Sequence, residues 1–193
     1  MREIGLIKQV QIQRSSLKIG ERPTRRYDPS PLMVADRLWL NPRGAFGLVN
    51  GSYVVDVHHA DHPATHHATV NPISFGFTGH YREMRARFGD HLFDGCAGEN
   101  ILIESDQRMT AQAIGQQIAI QQSDGQIVYL TDILVAAPCV EFSHYAARSL
   151  NPLSPHELKE ALQFLDHGMR GFYATLHGKP QMIQPGDRVF AVE

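Results

Sequence analysis

Apolar residues recur at Ile4, Leu6, Val10 and Ile12, all even positions. That is the period of a strand with one buried face, and it predicts an N-terminal β-strand. Residues 14–31, RSSLKIGERPTRRYDPSP, interrupt the pattern with basic residues and prolines and read as a loop. Short apolar runs follow from Leu38 to Leu40 and from Phe46 to Val49. Asn50-Gly51 then separates Val49 from SYVVDVH, and because both residues accept positive φ the pair predicts a hairpin. Residues 60–72 carry histidines, Asp61, Pro63 and Pro72 and predict an irregular connection. Thr78 is placed to cap a helix running to Phe88, with Tyr81, Met84 and Phe88 on one face and Gly89 as its stop.

The second half is more regular. Asn100 to Glu104 predicts a short strand, and QQIAIQQ another around Ile118 and Ile120. Asp124-Gly125 supplies a turn before QIVYL, and Asp132 to Ala137 continues as an apolar strand ending at Pro138-Cys139. Ser154-Pro155-His156-Glu157 is a capping box with proline at the first helical position. Leu158, Ala161, Leu162 and Leu165 follow at helical spacing, and Gly168 ends the helix. Phe172 to His177 and Arg188 to Val192 supply the last strands. Short strands, hairpin turns and two helices predict a mainly β fold, a closed or nearly closed β-barrel with a few peripheral helices.

Length and charge narrow the functional classes. A chain of 193 residues fits a single domain, 1–193. Lys and Arg total 18 against 20 Asp and Glu, a formal charge of −2, which gives no electrostatic reason to seek nucleic acid or an anionic membrane. No apolar run approaches the roughly 20 residues of a spanning helix. MREIGLIKQVQIQ lacks the continuous apolar stretch of a secretory leader, so the expected location is cytoplasmic. Cys96 and Cys139 are the only cysteines, too few for a disulfide framework.

Four short motifs follow one another in the second half: Gly98-Glu99-Asn100, then Pro138-Cys139, then Gly168-Met169-Arg170-Gly171-Phe172-Tyr173, then Gly186-Asp187-Arg188-Val189. Their order and spacing resemble the MOSC family, the C-terminal module of molybdenum-cofactor sulfurases. The family's pattern runs G-E-N, P-C, G-x-R-G-x-Y and G-D-x-V. The resemblance covers roughly residues 90–193; the histidine-bearing stretch from His58 to His67 matches the family loosely. It implies a barrel related to the pyruvate kinase β-domain, a pocket for a molybdenum–pterin cofactor, and a cysteine that ligates molybdenum or carries sulfur as a persulfide. Cys139 stands at that position, as catalytic thiol and metal ligand. Arg170, Gly171, Glu99, Asn100, His66 and His67 are the matching cofactor-binding candidates. Family members often carry a basic residue before the P-C pair, where this chain has Ala136 and Ala137.

The residue chemistry agrees with these roles. A thiolate is the reactive form of cysteine and a soft metal ligand. Arg170 lies between Gly168 and Gly171; guanidinium grips phosphate bidentately, and glycine lets backbone approach a ligand. Glu99 and Asn100 can hold a turn or bond a pterin edge. His58, His59, His62, His66 and His67 offer imidazoles that suit zinc, yet no second ligand cluster completes a known spacing. If His58 and His59 lie on a strand they face opposite sides, which leaves a polar pocket wall with proton-transfer capacity as the alternative. Arg25 and Arg26 could contact an anion or belong to a solvated basic loop.

The implied function is a molybdenum-cofactor-binding or sulfur-carrying domain. Such a domain would reduce N-hydroxylated compounds or transfer sulfane sulfur, with a sulfur-donor or electron-transfer protein as partner. The alternatives are a cofactor-free binding module on the same fold and a zinc-dependent hydrolase built on the histidines.

Overall fold

The computed structural model describes residues 1–65, 72–148 and 152–192. The first half forms β1 (Arg2–Gln13), β2 (Lys18–Ile19), β3 (Arg26–Tyr27), β4 (Leu32–Ala35), β5 (Arg37–Asn41), β6 (Gly44–Val49), β7 (Ser52–Val55), β8 (Ile73–Phe77) and helix α1 (Thr78–Phe88). The second forms β9 (Ile101–Glu104), α2 (Ala111–Ile114), β10 (Ile118–Gln121), β11 (Ile127–Val135), α3 (Val140–Ala147), α4 (Pro155–Leu165), β12 (Phe172–Leu176), β13 (Gln181–Ile183) and β14 (Arg188–Ala191).

The main sheet runs β14-β10-β11-β12-β8-β9-β1, and β1 pairs again with β14, so seven strands close into a barrel. Every pairing around the barrel is antiparallel except β8 with β9, which are parallel and joined through α1. The expected β-barrel with helices outside it is therefore the fold of this chain. Ile7, Phe75, Ile103, Ile120, Leu130 and Phe172 are among the side chains filling its interior. A second apolar cluster packs α1, α3 and α4 with Leu17, Tyr27, Leu92 and Cys96. Outside the barrel, β4 extends β1, and β13-β5-β6-β7 form a separate antiparallel sheet.

Local chemistry explains most element boundaries. Asn50 and Gly51 take φ of 49° and 78°, as a tight hairpin between β6 and β7 requires. Ser154 and Glu157 make the reciprocal capping box, with Pro155 opening α4.

Several expectations need correction. Even-position alternation fails in β1: register shifts between Glu3 and Gly5 and between Ile7 and Gln9 turn Leu6 outward and Ile7 inward. Thr78 does not cap α1 but is its first residue, after Phe77. Its hydroxyl instead donates to the Ser105 carbonyl and accepts from the Ser105 amide, both at 3.0 Å. The strand expected to reach Pro138-Cys139 ends at Val135. The loop over 14–31 contains the β2–β3 pairing. β4, β8, α2, α3 and β13 were not anticipated.

Candidate functional site

The site is built where four chain segments converge on the barrel wall. Gln13 ends β1, Leu17, Lys18 and Tyr27 come from the β2–β3 hairpin, Ala97, Gly98 and Glu99 precede β9, and Arg170 precedes β12. With His58, Ser74, Ala136 and Tyr173 they help to line a cavity of about 280 Å³.

Arg170 sits in a tight turn after α4. The Arg170 amide donates to the Leu165 carbonyl at 3.2 Å and the Gly171 amide to Gly168 at 2.9 Å. A Cβ on Gly171 would lie 2.7 Å from the Phe75 carbonyl oxygen, and φ there is 105°, so only glycine lets this turn press against β8. The guanidinium donates from Nη2 to the Ala97 carbonyl at 3.0 Å and lies 5.3 Å from the Phe142 ring centroid. Its Nε is fully shielded and has no hydrogen-bond partner among the described residues. No carboxylate among them lies within ion-pair distance of it. Burial works against its charge, but Tyr27, Tyr173, Cys139 and Glu99 nearby hold its pKa above the usual arginine value.

Glu99 forms part of the floor. It is 4% exposed and accepts from the Tyr81 hydroxyl, at 2.9 Å to Oε1 and 2.7 Å to Oε2. Burial raises its pKa, against the hydrogen bond from Tyr81 and the charge of Arg170. The Tyr81 hydroxyl also accepts from the Ala97 amide at 2.9 Å, so one oxygen fixes both the acid and the backbone that holds Arg170. Gly98 makes the intervening turn with φ of 94°, where a Cβ would meet Gln13 Nε2 at 2.8 Å.

Asn100 faces away from the cavity and ties its supports together. Its Oδ1 accepts from the Ser74 amide and hydroxyl at 3.0 and 3.1 Å, and its Nδ2 donates to Asp56 Oδ2 at 3.0 Å. Asp56 is fully buried and also accepts from the Gln13 amide at 2.7 Å. His58 follows on a turn rather than a strand. Its amide donates to Asp56 Oδ1 at 2.8 Å and its Nδ1 lies 3.1 Å from the same oxygen.

The sequence-derived candidates separate here. Arg170, Glu99 and the turn at Gly171 come together. Cys139 stands beside the cavity rather than in its wall: it precedes α3, half-buried against the cluster containing Tyr27 and Phe142. It is close enough to act electrostatically on both Arg170 and Tyr27. Cys96 is fully buried, and burial pushes its thiol pKa up. His66 and His67 lie outside the described residues. His59 is buried against Phe46, with ring centroids 4.4 Å apart, and burial lowers its pKa. His58 and His59 therefore diverge, though not by strand alternation. Among the described residues no three His, Cys, Asp or Glu side chains gather as a metal site. Arg25 pairs with Glu141 in the first turn of α3, with Nε donating to Oε1 at 2.6 Å. Gln13, Lys18, Tyr27, Asp56 and Tyr81 were missed by sequence reasoning. Only the packing of distant segments reveals them.

No protein-family model matches the chain, and no curated protein matches its sequence. Solved structures share its fold, among them two at low sequence identity. The YuaD protein from Bacillus subtilis has a TM-score of 0.53 at 16% identity, over 95% of this chain and 97% of its own. A protein described only as hypothetical has a TM-score of 0.56 at 11% identity, over 99% of this chain and 70% of its own. At such identity the likeness concerns the fold alone. No helix among the described residues is long and apolar enough to cross a membrane.

Proposed function

We propose that this barrel is a MOSC-type domain that binds an anionic molybdenum–pterin cofactor, with Arg170 as the anchor of its negative charge and Cys139 as the protein's thiol ligand. The observation that carries the reading is the guanidinium of Arg170: a shielded Nε without a partner, and no carboxylate within ion-pair distance among the described residues, on the wall of a cavity of about 280 Å³. A largely buried cation with no carboxylate at ion-pair distance among the described residues can take an anion from outside the chain. The donor set fits such a group: a fixed guanidinium fork, Lys18 at the rim, and a soft sulfur alongside.

When bound, the group would supply a two-electron centre for taking oxygen from an N-hydroxylated compound. The balance of that reaction is two electrons from a one-electron donor protein and two protons, with the amine and water as products. Within the chain, Arg170 binds and orients, Glu99 and Tyr81 hold the Ala97–Gly98 backbone, and Gly171 admits close approach. The place of Cys139 beside the cavity favours a second reading, in which its thiol carries sulfane sulfur for transfer.

The test is pterin retention. Protein purified from a host that makes the cofactor is oxidised and the released pterin measured by fluorescence. Wild type retains pterin, and Arg170→Met retains at least tenfold less while staying folded. Equal retention by the two proteins would overturn the assignment. Cyanide-releasable sulfur on Cys139 in protein without pterin would favour the second reading.

A further inference from the structure

Glu99 is the one acid among the described residues lining the cavity, and Arg170 shares that cavity with it. The two act on each other electrostatically, yet no lysine or arginine among the described residues lies within ion-pair distance of the Glu99 carboxyl. Packing keeps them apart. A Cβ on Gly76 would lie 2.5 Å from Glu99 Oε1 and one on Gly171 would lie 3.4 Å from Glu99 Cγ, so the side chain is clamped between β8 and the turn before β12. Arg170 is held on the Ala97 carbonyl at 3.0 Å, while the Tyr81 hydroxyl accepts from the Ala97 amide at 2.9 Å and reaches the Glu99 oxygens at 2.7 and 2.9 Å. An ionised Glu99 and the guanidinium therefore attract each other across a gap that their anchors hold open. An anion bound to Arg170 takes over as its counter-charge and adds a second negative charge near Glu99. A like charge favours the neutral form of a carboxyl. A protonated carboxyl keeps a carbonyl oxygen to accept from the Tyr81 hydroxyl, so that contact survives in either state.

We propose that anion binding at Arg170 is coupled to proton uptake at Glu99: the cavity takes in an anion together with a proton and holds the anion more tightly as pH falls. The inference rests on the reading of the cavity as an anion site. The proton comes from solvent, one O–H bond forms on the carboxylate, and one unit of the ligand's negative charge is thereby offset. Burial already raises the Glu99 carboxyl, against the hydrogen bond from Tyr81 and the charge of Arg170, and an anion on Arg170 weakens the last of these. The charged and titratable groups that face Glu99 are Tyr81 from α1, Asp94 and Cys96 from the loop before β9, Tyr27 from β3 and Arg170 from the turn before β12. The residue of β8 packed on it is Gly76, which carries no charge, and Lys18 and His58 line the same cavity. Below the pKa of Glu99 in the free protein the acid is already protonated and affinity is highest. Between that pKa and the higher one of the bound state a proton is taken up, and affinity falls with rising pH by up to about tenfold per pH unit. Above both, affinity levels off at its lowest value.

Two measurements on the full chain, made in a host that lacks the cofactor, test the coupling. Calorimetric titration with inorganic sulfate, which does not itself titrate near neutral pH, is run in buffers of different ionisation enthalpy and counts the protons taken up. Within the window wild type should take up as much as about one proton per sulfate, with affinity rising toward acid. Glu99→Gln should bind sulfate with little uptake and lose most of the pH dependence. Carbon-13 spectra of the wild-type carboxyl groups follow Glu99 without any substitution, and saturating sulfate should move its titration midpoint to higher pH. Sulfate bound without uptake at any pH, uptake that survives in Glu99→Gln, or a Glu99 midpoint that sulfate leaves in place overturns the coupling and leaves the anion site standing. Sulfate that fails to bind wild type overturns the anion site itself, and the coupling with it.

Discussion

Replacing Tyr81 by phenylalanine removes a single oxygen beneath the cavity and breaks two kinds of contact at once. The hydroxyl donates to Glu99 and accepts from the Ala97 amide, and Tyr81 has no exposure to water that could replace either. An orphaned buried amide costs about 1–3 kcal/mol, and loss of a hydrogen bond to a charged group about 1.5–3 kcal/mol. Because the fixed ring leaves little room for relaxation, Tyr81→Phe should destabilise the protein by about 2–4 kcal/mol once Glu99 is ionised, above its raised folded pKa. For a chain of this size that is a fall in Tm of very roughly 4–16 °C. The loss should depend on pH. Burial raises the folded pKa of Glu99, so between its unfolded value, about 4.3, and its folded value the native state binds the extra proton. Stability from this group is therefore fully present below that window and falls as pH rises through it. Without the Tyr81 hydroxyl to stabilise the carboxylate the fall steepens. The difference between variant and wild type should shrink toward the amide term alone in acid. Urea melts of both proteins across this pH range measure it. A difference below about 0.5 kcal/mol, or one constant with pH, would refute the coupling of Tyr81 to Glu99.

Iodoacetamide at neutral pH should label half-buried Cys139 well before Cys96, which is shielded and whose thiol is pushed up by burial; peptide mapping that finds the reverse order would contradict the site. Gly171→Ala places a Cβ 2.7 Å from the Phe75 carbonyl at a φ of 105°, and should cost at least about 2 kcal/mol in chemical denaturation. A variant as stable as wild type would show that the β12 turn can move away from β8.

Some of this fold is written in local chemistry and can be read there. Asn50-Gly51, Asp124-Gly125 and the Ser154–Glu157 box each specify a turn or cap through one or two side chains, and each stands where expected. α3 was illegible for a comparable reason. It is short, and Cys139 precedes it without any side-chain cap, so no Ser, Thr or Asp signals its start. β13 has three residues and exists because β5 offers it an edge. Motif spacing pointed to Arg170 and Glu99. It could not reveal that Asn100 would turn inward to Asp56, or that Gln13, Lys18 and Tyr27 would arrive from a segment that reads as a basic loop. Those contacts span tens to more than a hundred residues, and neither hydrophobic period nor capping chemistry encodes them.

The proposal that this barrel holds a molybdenum cofactor through Cys139 and Arg170 is tested most directly by metal content. Wild type, Cys139→Ser and Arg170→Met are purified from a cofactor-producing host and analysed for molybdenum and zinc by mass spectrometry. The account predicts molybdenum approaching one atom per chain in wild type and a severalfold loss in both variants, with each still folded. Wild-type protein that carries no molybdenum, or carries zinc in its place, would contradict it.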